Sequence, residues 1–294
     1  TATTEIFTLS LHDALPILAG VDVDALPVLG RLACARLRLV QADADAGAGA
    51  TEAHLRAALA ILAALLDDHP DHANALRIDA LARSDLGVFC RDDGRAAEAE
   101  ALFTAAAGRL RRLLAIEPNG ADVRGNLAAT LCNLGATQRD RGDGVAALAA
   151  FAEAEALATA ANEALPKRQD FALFRYNATW FHAEALGATG DGPGQVAAAE
   201  RLAALRPDDA RTQRIAAGFV AAALGGEVAA GRAAPDGWGE RAVALLHAAA
   251  RLGCPDVELV RDEAPFTLLR GIAGFADVVA AMAANAAAGA SGPR

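Results

Sequence analysis

Several short stretches of this sequence carry residue types that could do chemistry. One is an acidic, histidine-containing stretch whose carboxylates and imidazoles are of the kind that bind a metal ion: Asp67, Asp68, His69, Asp71 and His72. These residues surround a proline on a predicted turn and have no rigid ligand spacing. We therefore interpret the stretch as a solvated turn and predict that the chain holds no metal.

A glycine-rich stretch could in principle cradle a phosphate group: Gly190-Asp191-Gly192-Pro193-Gly194. It follows a predicted helix rather than a strand and lacks the lysine of a phosphate-binding loop, so we interpret it as a turn. Glu98 and Glu100 cannot flank one substrate bond, because helical residues two apart point to different faces. We expect no catalytic residue, no cofactor and no enzymatic activity. A helical enzyme with acid and base groups in a groove is the weakest functional hypothesis.

One cluster of aromatic side chains stands out. Five of the thirteen aromatic residues fall within eleven positions: Phe171, Phe174, Tyr176, Trp180 and Phe181. Two interpretations stay open. The rings either fill a wide gap between packed helices or contact a bound ligand.

The elements that carry these residues are predicted to be helices. Alanine fills more than a quarter of the 294 positions, and Leu, Arg and Glu are frequent, whereas residues that favour strands are scarce. This composition argues strongly against an all-β or parallel-sheet fold. The net charge of −10 argues against a general nucleic-acid binder, which needs a basic face to displace counterions.

The sequence predicts neither a membrane segment nor a disulfide framework. The longest apolar run, residues 57–66, is half of the about 20 residues that a membrane-spanning helix needs. We find no secretory signal, and we expect a cytoplasmic location with no membrane partner. Four widely spaced cysteines without a CxxC pair are interpreted as small buried residues: Cys34, Cys90, Cys132 and Cys254.

The sequence repeats with a period of 48 residues. Prolines recur at positions 70, 118 and 166, and glycines recur midway between them at positions 94, 142 and 190. Glycine ends each first helix and proline ends each second helix, so each unit is predicted to be a hairpin of two antiparallel helices. Neither helix can bury its apolar stripe alone. Adjacent hairpins must therefore stack into a solenoid.

The spacing within each unit resembles the signature of the tetratricopeptide repeat (TPR) family. The first copy is Leu86-Gly87, Gly94, Ala99, Phe103 and Ala106, and the second is Leu134-Gly135, Gly142, Ala147, Phe151 and Ala154. The usual repeat has 34 residues. The longer period adds about two turns to each helix, which leaves the apolar stripe facing its neighbours. The resemblance implies an all-α fold, a right-handed superhelical TPR-like solenoid of antiparallel helix pairs with a repeat of about 48 residues.

A second resemblance lies near the C-terminus. The stretch Pro265-Phe266-Thr267-Leu268-Leu269-Arg270, followed by Phe275, resembles the closing motif of bacterial TPR arrays. With the long repeats, residues 70–282 resemble the C-terminal array of bacterial eukaryote-like serine/threonine kinases. No kinase catalytic motif is present in the sequence. The resemblance therefore implies, as an alternative function, a regulatory or targeting tail of a kinase whose catalytic domain is missing.

The chain is predicted to have four segments. Residues 4–17 resemble a translated sequencing adapter, and the only methionine is Met282, so we interpret the sequence as a fragment with a non-native start. The predicted segments are the non-native residues 1–17, the helical repeat array 18–224, a C-terminal helical capping region 225–282 and a disordered tail 283–294.

The first helices of a TPR solenoid line its concave surface, where peptides lie. The residues predicted to face inward and contact a peptide are Arg91, Asn133, Arg139, Asn177 and Trp180. An asparagine amide can pair with both the N–H and the C=O of a guest backbone. The leading hypothesis is a non-catalytic scaffold that binds a peptide segment of a protein partner in its concave groove.

Overall fold

The structure is a computed structural model that describes residues 48–290 and nine separate positions between 26 and 39. The segment predicted to be non-native, 1–17, and the last four residues, 291–294, lie outside the described residues. The chain divides into two compact units with a boundary between Arg141 and Gly142. Each unit is described below by itself.

The first unit consists of antiparallel helix pairs. Arg77, at the start of its second described helix, donates to Glu117, just after the end of the next helix, with an N–O distance of 2.8 Å. Helices two apart run parallel, since Ser84 contacts Thr130 and the later Arg91 contacts the later Asn133. The helices described in this unit between residues 48 and 141 are α1 (Ala48–Asp68), α2 (Ala73–Asp92), α3 (Ala96–Ile116) and α4 (Ala121–Asp140).

The second unit continues the same alternation and then closes. Glu155 in its first helix accepts from Arg201 in its third, at 2.8 Å, so an ion pair between side chains links these two helices. Its helices are α5 (Gly144–Ala164), α6 (Gln169–Ala188), α7 (Gly192–Leu205), α8 (Ala210–Ala229), α9 (Trp238–Arg251), α10 (Val257–Asp262), a 3-10 helix (Ala264–Gly271) and α11 (Phe275–Ala290).

The helix boundaries confirm the 48-residue period. α2, α4 and α6 begin 48 residues apart and each has 20 residues, while α3 and α5 each have 21. After each first helix comes a glycine with positive φ: 79° at Gly94, 86° at Gly142 and 80° at Gly190. Glycine adopts this left-handed conformation at little steric cost, which explains its recurrence there. α7 has only 14 residues, as the shortened final interval of the sequence predicts.

A signature glycine lies where two helices approach closely. A Cβ atom at Gly87 of α2 would lie 2.7 Å from Cε1 of Phe103 in α3. Phe103 is completely buried, as is the equivalent ring of Phe151. Any side chain at position 87 would therefore overlap a ring that has nowhere to move.

The closing motif packs as a cap on the second unit. In the 3-10 helix, Phe266 and Leu269 are buried, and Phe275 at the start of α11 is 4% exposed. These side chains join an apolar core that includes Val220 of α8 and Leu246 of α9. Covering the apolar face of the last repeat is what the end of a stacked array requires.

The boundary predicted at residue 224 differs from the structure. α8 continues through Gly225 and Gly226 to Ala229, five residues past the predicted end of the repeat array. The helix ends one turn later, where Gly231 has a φ of 68°. Arg232 fixes this end, since its backbone N–H donates to the Glu227 carbonyl at 2.9 Å and its side chain pairs with the Glu227 carboxylate. The helix after it begins at Trp238.

The structure also corrects the prediction of a disordered tail that begins at residue 283. α11 continues to Ala290. The physical reason is Asn285, whose side-chain amide donates to the carbonyl oxygens of Ala250 at 2.8 Å and Cys254 at 3.2 Å. These bonds tie the last turns of α11 to the end of α9.

By length and composition alone, α5 is the one helix within the described residues that could cross a membrane, with a mean hydropathy of 1.4 over an 18-residue window. Much of this apolar character comes from alanine. The helix packs against α6 and holds the ion-paired Glu155 near its centre. A core helix passes the same test, so this is weak support for a membrane segment.

The fold class predicted from the sequence is confirmed. Between residues 48 and 290 the structure contains helices and no strands, and helices that follow each other in sequence pack as antiparallel pairs within each unit. The described part of the chain is all-α and consists, in each unit, of antiparallel helix pairs with a lengthened repeat. The right-handed superhelical sense stays a prediction.

Candidate functional site

Arg91 and Asn133, two of the predicted peptide-binding residues, lie together in the first unit. Arg91 Nη1, in the last turn of α2, donates to Asn133 Oδ1 in α4 at 3.1 Å. Both side chains are half-buried. Because α2 and α4 run parallel, the contact repeats the sideways pairing of Ser84 with Thr130 about two turns earlier. The two neighbouring first helices thus share a line of polar contacts.

Arg139 lies on the same helix as Asn133 but belongs to a different contact. Its guanidinium pairs with Asp140 at 3.1 Å, near the end of α4. A basic group in the last turn is favourable beside the negative end of the helix dipole. The structure therefore gives Arg139 a role at the end of α4, and its role in peptide binding stays a prediction.

Asn177 and Trp180 belong to the second unit. They are three residues apart on α6, so they share one face of that helix, and both are half-buried. The side-chain amide of Asn177 makes no hydrogen bond to any described residue. A half-buried amide with unused donors and acceptor is available to a partner's backbone.

Packing accounts for most of the aromatic cluster. Phe181 stacks on Phe151 of α5, with ring centroids 5.2 Å apart, and Trp180 packs on Phe181 at 5.0 Å. Phe171 is 1% exposed. The Tyr176 ring lies under the Arg206 guanidinium, 4.1 Å from its centroid. Trp180 is the member for which both interpretations remain, since it closes this stack and keeps an accessible edge.

Sequence reasoning missed a buried charged cluster centred on Glu155. Its carboxylate accepts from Arg201 Nε at 2.8 Å, from Thr179 Oγ1 at 3.2 Å, and lies 2.5 Å from His182 Nδ1. Burial raises the pKa of Glu155, but hydrogen bonds from His182 and Arg201 outweigh it and hold the pKa at about 2. The available signal was its spacing, four residues after the buried Phe151 and three before the buried Ala158, which places Glu155 on the apolar stripe of α5.

A second buried acid was also missed. Asp79 of α2 is fully buried and accepts from Arg83 Nε at 2.7 Å and from Arg109 Nε at 3.2 Å. Arg109 lies on α3, so this cluster joins the two helices of a hairpin. Both buried acids are satisfied by their partners and hold helices together.

The stretches that could have done chemistry have structural roles. His72 caps α2, accepting the Ala75 N–H at 3.3 Å, and Asp71 pairs with Arg112 at 2.7 Å. Asp191 caps α7 by accepting the Gly194 N–H at 2.9 Å. Within the part of the chain that the structure describes, no group of three or more potential metal ligands occurs.

The two glutamates considered as a catalytic pair have different partners. Glu98 joins a network with Arg56 and Arg95, whereas Glu100 pairs with Arg141. They therefore face different neighbours, as the helical spacing predicts.

The cysteines described by the structure are free thiols. Cys34, Cys90 and Cys254 are buried, as predicted, whereas Cys132 is only half-buried, which corrects its interpretation as a buried residue. Burial raises the pKa of Cys132 to about 12, so this thiol stays protonated at neutral pH. A protonated thiol is a poor nucleophile and a poor metal ligand. The geometry thus agrees with a packing role.

Comparisons with known proteins add little. No family model and no curated protein matches the chain. A solved structure described as the crystal structure of MamA protein covers 79% of this chain and 97% of its own, at 15% identity and a TM-score of 0.41. With so low a TM-score, this likeness adds nothing to the fold and helix pairs described above.

Proposed function

We propose that this chain is a non-catalytic protein-interaction module in which the first helices, α2 and α4 of the first unit and α6 of the second, carry residues that bind a peptide segment of another protein. One observation carries the proposal. Asn133 and Asn177 are half-buried on first helices, and their amide N–H groups donate to no other described residue. An extended peptide presents the carbonyl oxygens that such amides would bind.

The neighbouring side chains suit such a ligand. Arg91 fixes the orientation of the Asn133 amide by donating to its oxygen, which leaves the nitrogen as the outward donor. Trp180 offers a flat apolar edge one helical turn from Asn177. Aromatic rings beside hydrogen-bonding groups are typical of the central part of protein interfaces. We further propose a cytoplasmic setting, with no cofactor, nucleic-acid or membrane partner.

A second proposal concerns the origin of the chain. In this alternative, the chain is the C-terminal regulatory or targeting part of a serine/threonine kinase. The closing 3-10 helix, with its buried Phe266 and Leu269, supports this alternative. Sequencing the native gene upstream of residue 18 tests it. A kinase catalytic signature there would support the proposal, and a start codon close by would overturn it.

Selection of peptides followed by substitution tests the peptide-binding proposal. A displayed peptide library is selected on the whole chain, and the affinity of the recovered peptides is measured for Asn133→Ala and Trp180→Ala. Thr104→Ala is the matched control, because Thr104 is exposed on the second helix α3. We expect a tenfold or greater loss of affinity, about 1.4 kcal/mol, in at least one of the two variants and none in the control. Unchanged affinity in both variants would overturn the proposal.

A further inference from the structure

A groove in the second unit lies between the second helices of two neighbouring repeats, α5 and α7. Its cavity volume is about 260 Å³, and it is lined by Ala152, Glu155, Ala156, Thr159 and Arg201. We call it the Arg201 groove and define it by these five residues. Ala152, Ala156 and Thr159 are spaced by four and three residues, so they share one face of α5. The small alanine side chains leave the polar groups of the groove accessible to a ligand.

A buried carboxylate holds Arg201 in one orientation. Arg201 Nε and Nη2 donate to the two oxygens of Glu155 at 2.8 and 3.0 Å, and Glu155 is only 9% exposed. Glu155 is itself fixed by contacts with Thr179 and His182 of α6. About half of the Arg201 side chain is exposed. Because its guanidinium is already oriented, a ligand that binds it pays little further conformational entropy.

The second edge of this guanidinium is open. A guanidinium carries five N–H groups, and the bonds to Glu155 use one on Nε and one on Nη2. Both N–H groups of Nη1 and the second one of Nη2 donate to no described residue. Together, Nη1 and Nη2 present two parallel donors, which is the arrangement that binds both oxygens of a carboxylate.

Thr159 supplies a further donor in the groove. It is half-buried, and its hydroxyl makes no hydrogen bond to any described residue. By contrast, the helical residues Thr130, Thr137 and Thr179 each donate to the backbone carbonyl four residues earlier. The Thr159 hydroxyl is therefore not used by its own helix, and it lines the same cavity as the open edge of Arg201.

We propose that the Arg201 groove binds a carboxylate group of a protein partner, supplied either by an Asp or Glu side chain or by the C-terminus of the partner's chain. Nη1 and Nη2 of Arg201 donate to the two carboxylate oxygens, and the Thr159 hydroxyl donates to one of them. Arg201 then bridges two carboxylates, that of the partner on one edge and that of Glu155 on the other.

The charge of the groove favours a singly charged anion. Hydrogen bonds from His182 and Arg201 outweigh burial and hold the pKa of Glu155 at about 2, so Glu155 is ionised at neutral pH and partly balances the charge of Arg201. Phosphate carries more negative charge than a carboxylate and would bring that charge close to Glu155, whereas a cation would meet N–H donors. The site lies on second helices and does not depend on the first-helix residues of the proposed peptide-binding function.

Titration with small probes at constant ionic strength tests the proposal. The Nε–H signal of Arg201 and the methyl signal of Ala152 in the whole chain are followed by NMR during addition of acetate, inorganic phosphate and methylammonium. We expect saturable shifts with acetate, weaker shifts with phosphate and none with methylammonium. N-acetyl-aspartate-N-methylamide, whose carboxylate is in the side chain, and N-acetylglycine, whose carboxylate is terminal, are then compared to distinguish the two sources.

Three variants separate specific binding from simple attraction between charges. Arg201→Lys keeps the positive charge and a partner for Glu155 but has no second edge. Thr159→Val removes the hydroxyl at similar volume, and Ala156→Leu fills the groove from an exposed position. We expect acetate binding, followed at Ala152, to be lost in Arg201→Lys and Ala156→Leu. In Thr159→Val it should weaken about fivefold, the effect of one ordinary hydrogen bond.

The matched controls lie on α3. Ala101→Leu and Thr104→Val make the same changes at exposed positions, and they should leave acetate binding unchanged. Thermal melting shows that each variant is folded, and Thr159→Val should melt at nearly the same temperature as the unsubstituted chain. Asn133→Ala should also leave acetate binding unchanged, so failure of the peptide-binding proposal would be seen separately.

Three results would overturn the proposal. One is an Arg201 signal that acetate does not shift in a saturable way. Another is a stronger response to phosphate or methylammonium than to acetate. The third is acetate binding that persists in folded Arg201→Lys, which would mean that a positive charge alone attracts the ion and that the second edge of the guanidinium has no part in recognition.

Discussion

The contact between Gly87 and Phe103 gives a quantitative prediction. In an open helical position, replacing glycine with alanine stabilises a protein by about 1 kcal/mol. At position 87 the new Cβ would lie 2.7 to 3.0 Å from three ring atoms of the fully buried Phe103. Overpacking costs about 1–3 kcal/mol, and three overlapping atoms place this site at the upper end. We expect Gly87→Ala to lower the free energy of unfolding by about 2 kcal/mol, the overlap cost less the helical gain.

A double-mutant cycle identifies the cause of this loss. Phe103→Ala alone should cost about 3–5 kcal/mol, as truncation of a buried phenylalanine does. With the ring removed, the same Gly87→Ala change should become neutral or stabilising, so the coupling energy between the two sites is about 2–3 kcal/mol. Urea unfolding followed by far-UV circular dichroism measures all four free energies.

Gly108→Ala is the matched control for this cycle. Gly108 is exposed on α3, and a Cβ there would meet no atom within 4 Å. We expect it to stabilise the chain by about 0.5–1 kcal/mol. If Gly87→Ala also stabilised the chain, with no coupling to Phe103, the close approach of α2 and α3 at this point would be refuted.

Three further predictions concern single side chains. The pKa of Glu155, about 2, lies below its usual value of 4.5, so its contribution is complete above pH 4.5 and is lost as the pH falls towards 2. Glu155→Gln should lower the free energy of unfolding at pH 7 by about 3 kcal/mol. Urea unfolding should show that this difference in stability between the variant and the unsubstituted chain becomes smaller as the pH falls from 4.5 towards 2. Cys132, which is half-buried and has a pKa of about 12, should react with a thiol reagent much more slowly in the folded chain than in the unfolded chain. Trp180→Ala should weaken binding of a selected peptide while the melting temperature changes little.

Each of these has a result that contradicts it. If Glu155→Gln were as stable as the unsubstituted chain at pH 7, the buried cluster around Glu155 would not be formed. Fast reaction of Cys132 in the folded chain would contradict its raised pKa. For Trp180→Ala, a fall in melting temperature by many degrees with unchanged affinity would favour the packing interpretation of the aromatic cluster.

The repeat could be predicted from the sequence because the glycines and prolines that end its helices act locally. A glycine at position 94 or 142 marks a left-handed turn wherever it lies in the fold, and its positive φ follows from its lack of a Cβ. The spacing of such residues fixes helix length directly. The end of α8 could not be found in this way, because its glycines lie inside a helix whose end is fixed by Arg232 and Glu227.

The candidate site could be predicted only in part. Position on a first helix and residue type pointed to Asn133 and Arg91, and the structure joins them by a hydrogen bond. Glu155 and Asp79 were missed because their environments depend on other helices. Glu155 is satisfied by groups 24 to 46 residues away, and Asp79 accepts from a guanidinium 30 residues away.

Deletion of one whole repeat tests the central claim most directly. Removal of residues 73–120, a deletion of 48 positions, joins the end of α1 to α4, which begins at the position equivalent to the start of α2. The comparison is removal of 73–96, a deletion of 24 positions that joins α1 to the parallel helix α3. We predict that the 48-residue deletion keeps its helicity per residue and unfolds cooperatively, whereas the 24-residue deletion does neither. Equal behaviour of the two deletions would contradict an array of two-helix repeats.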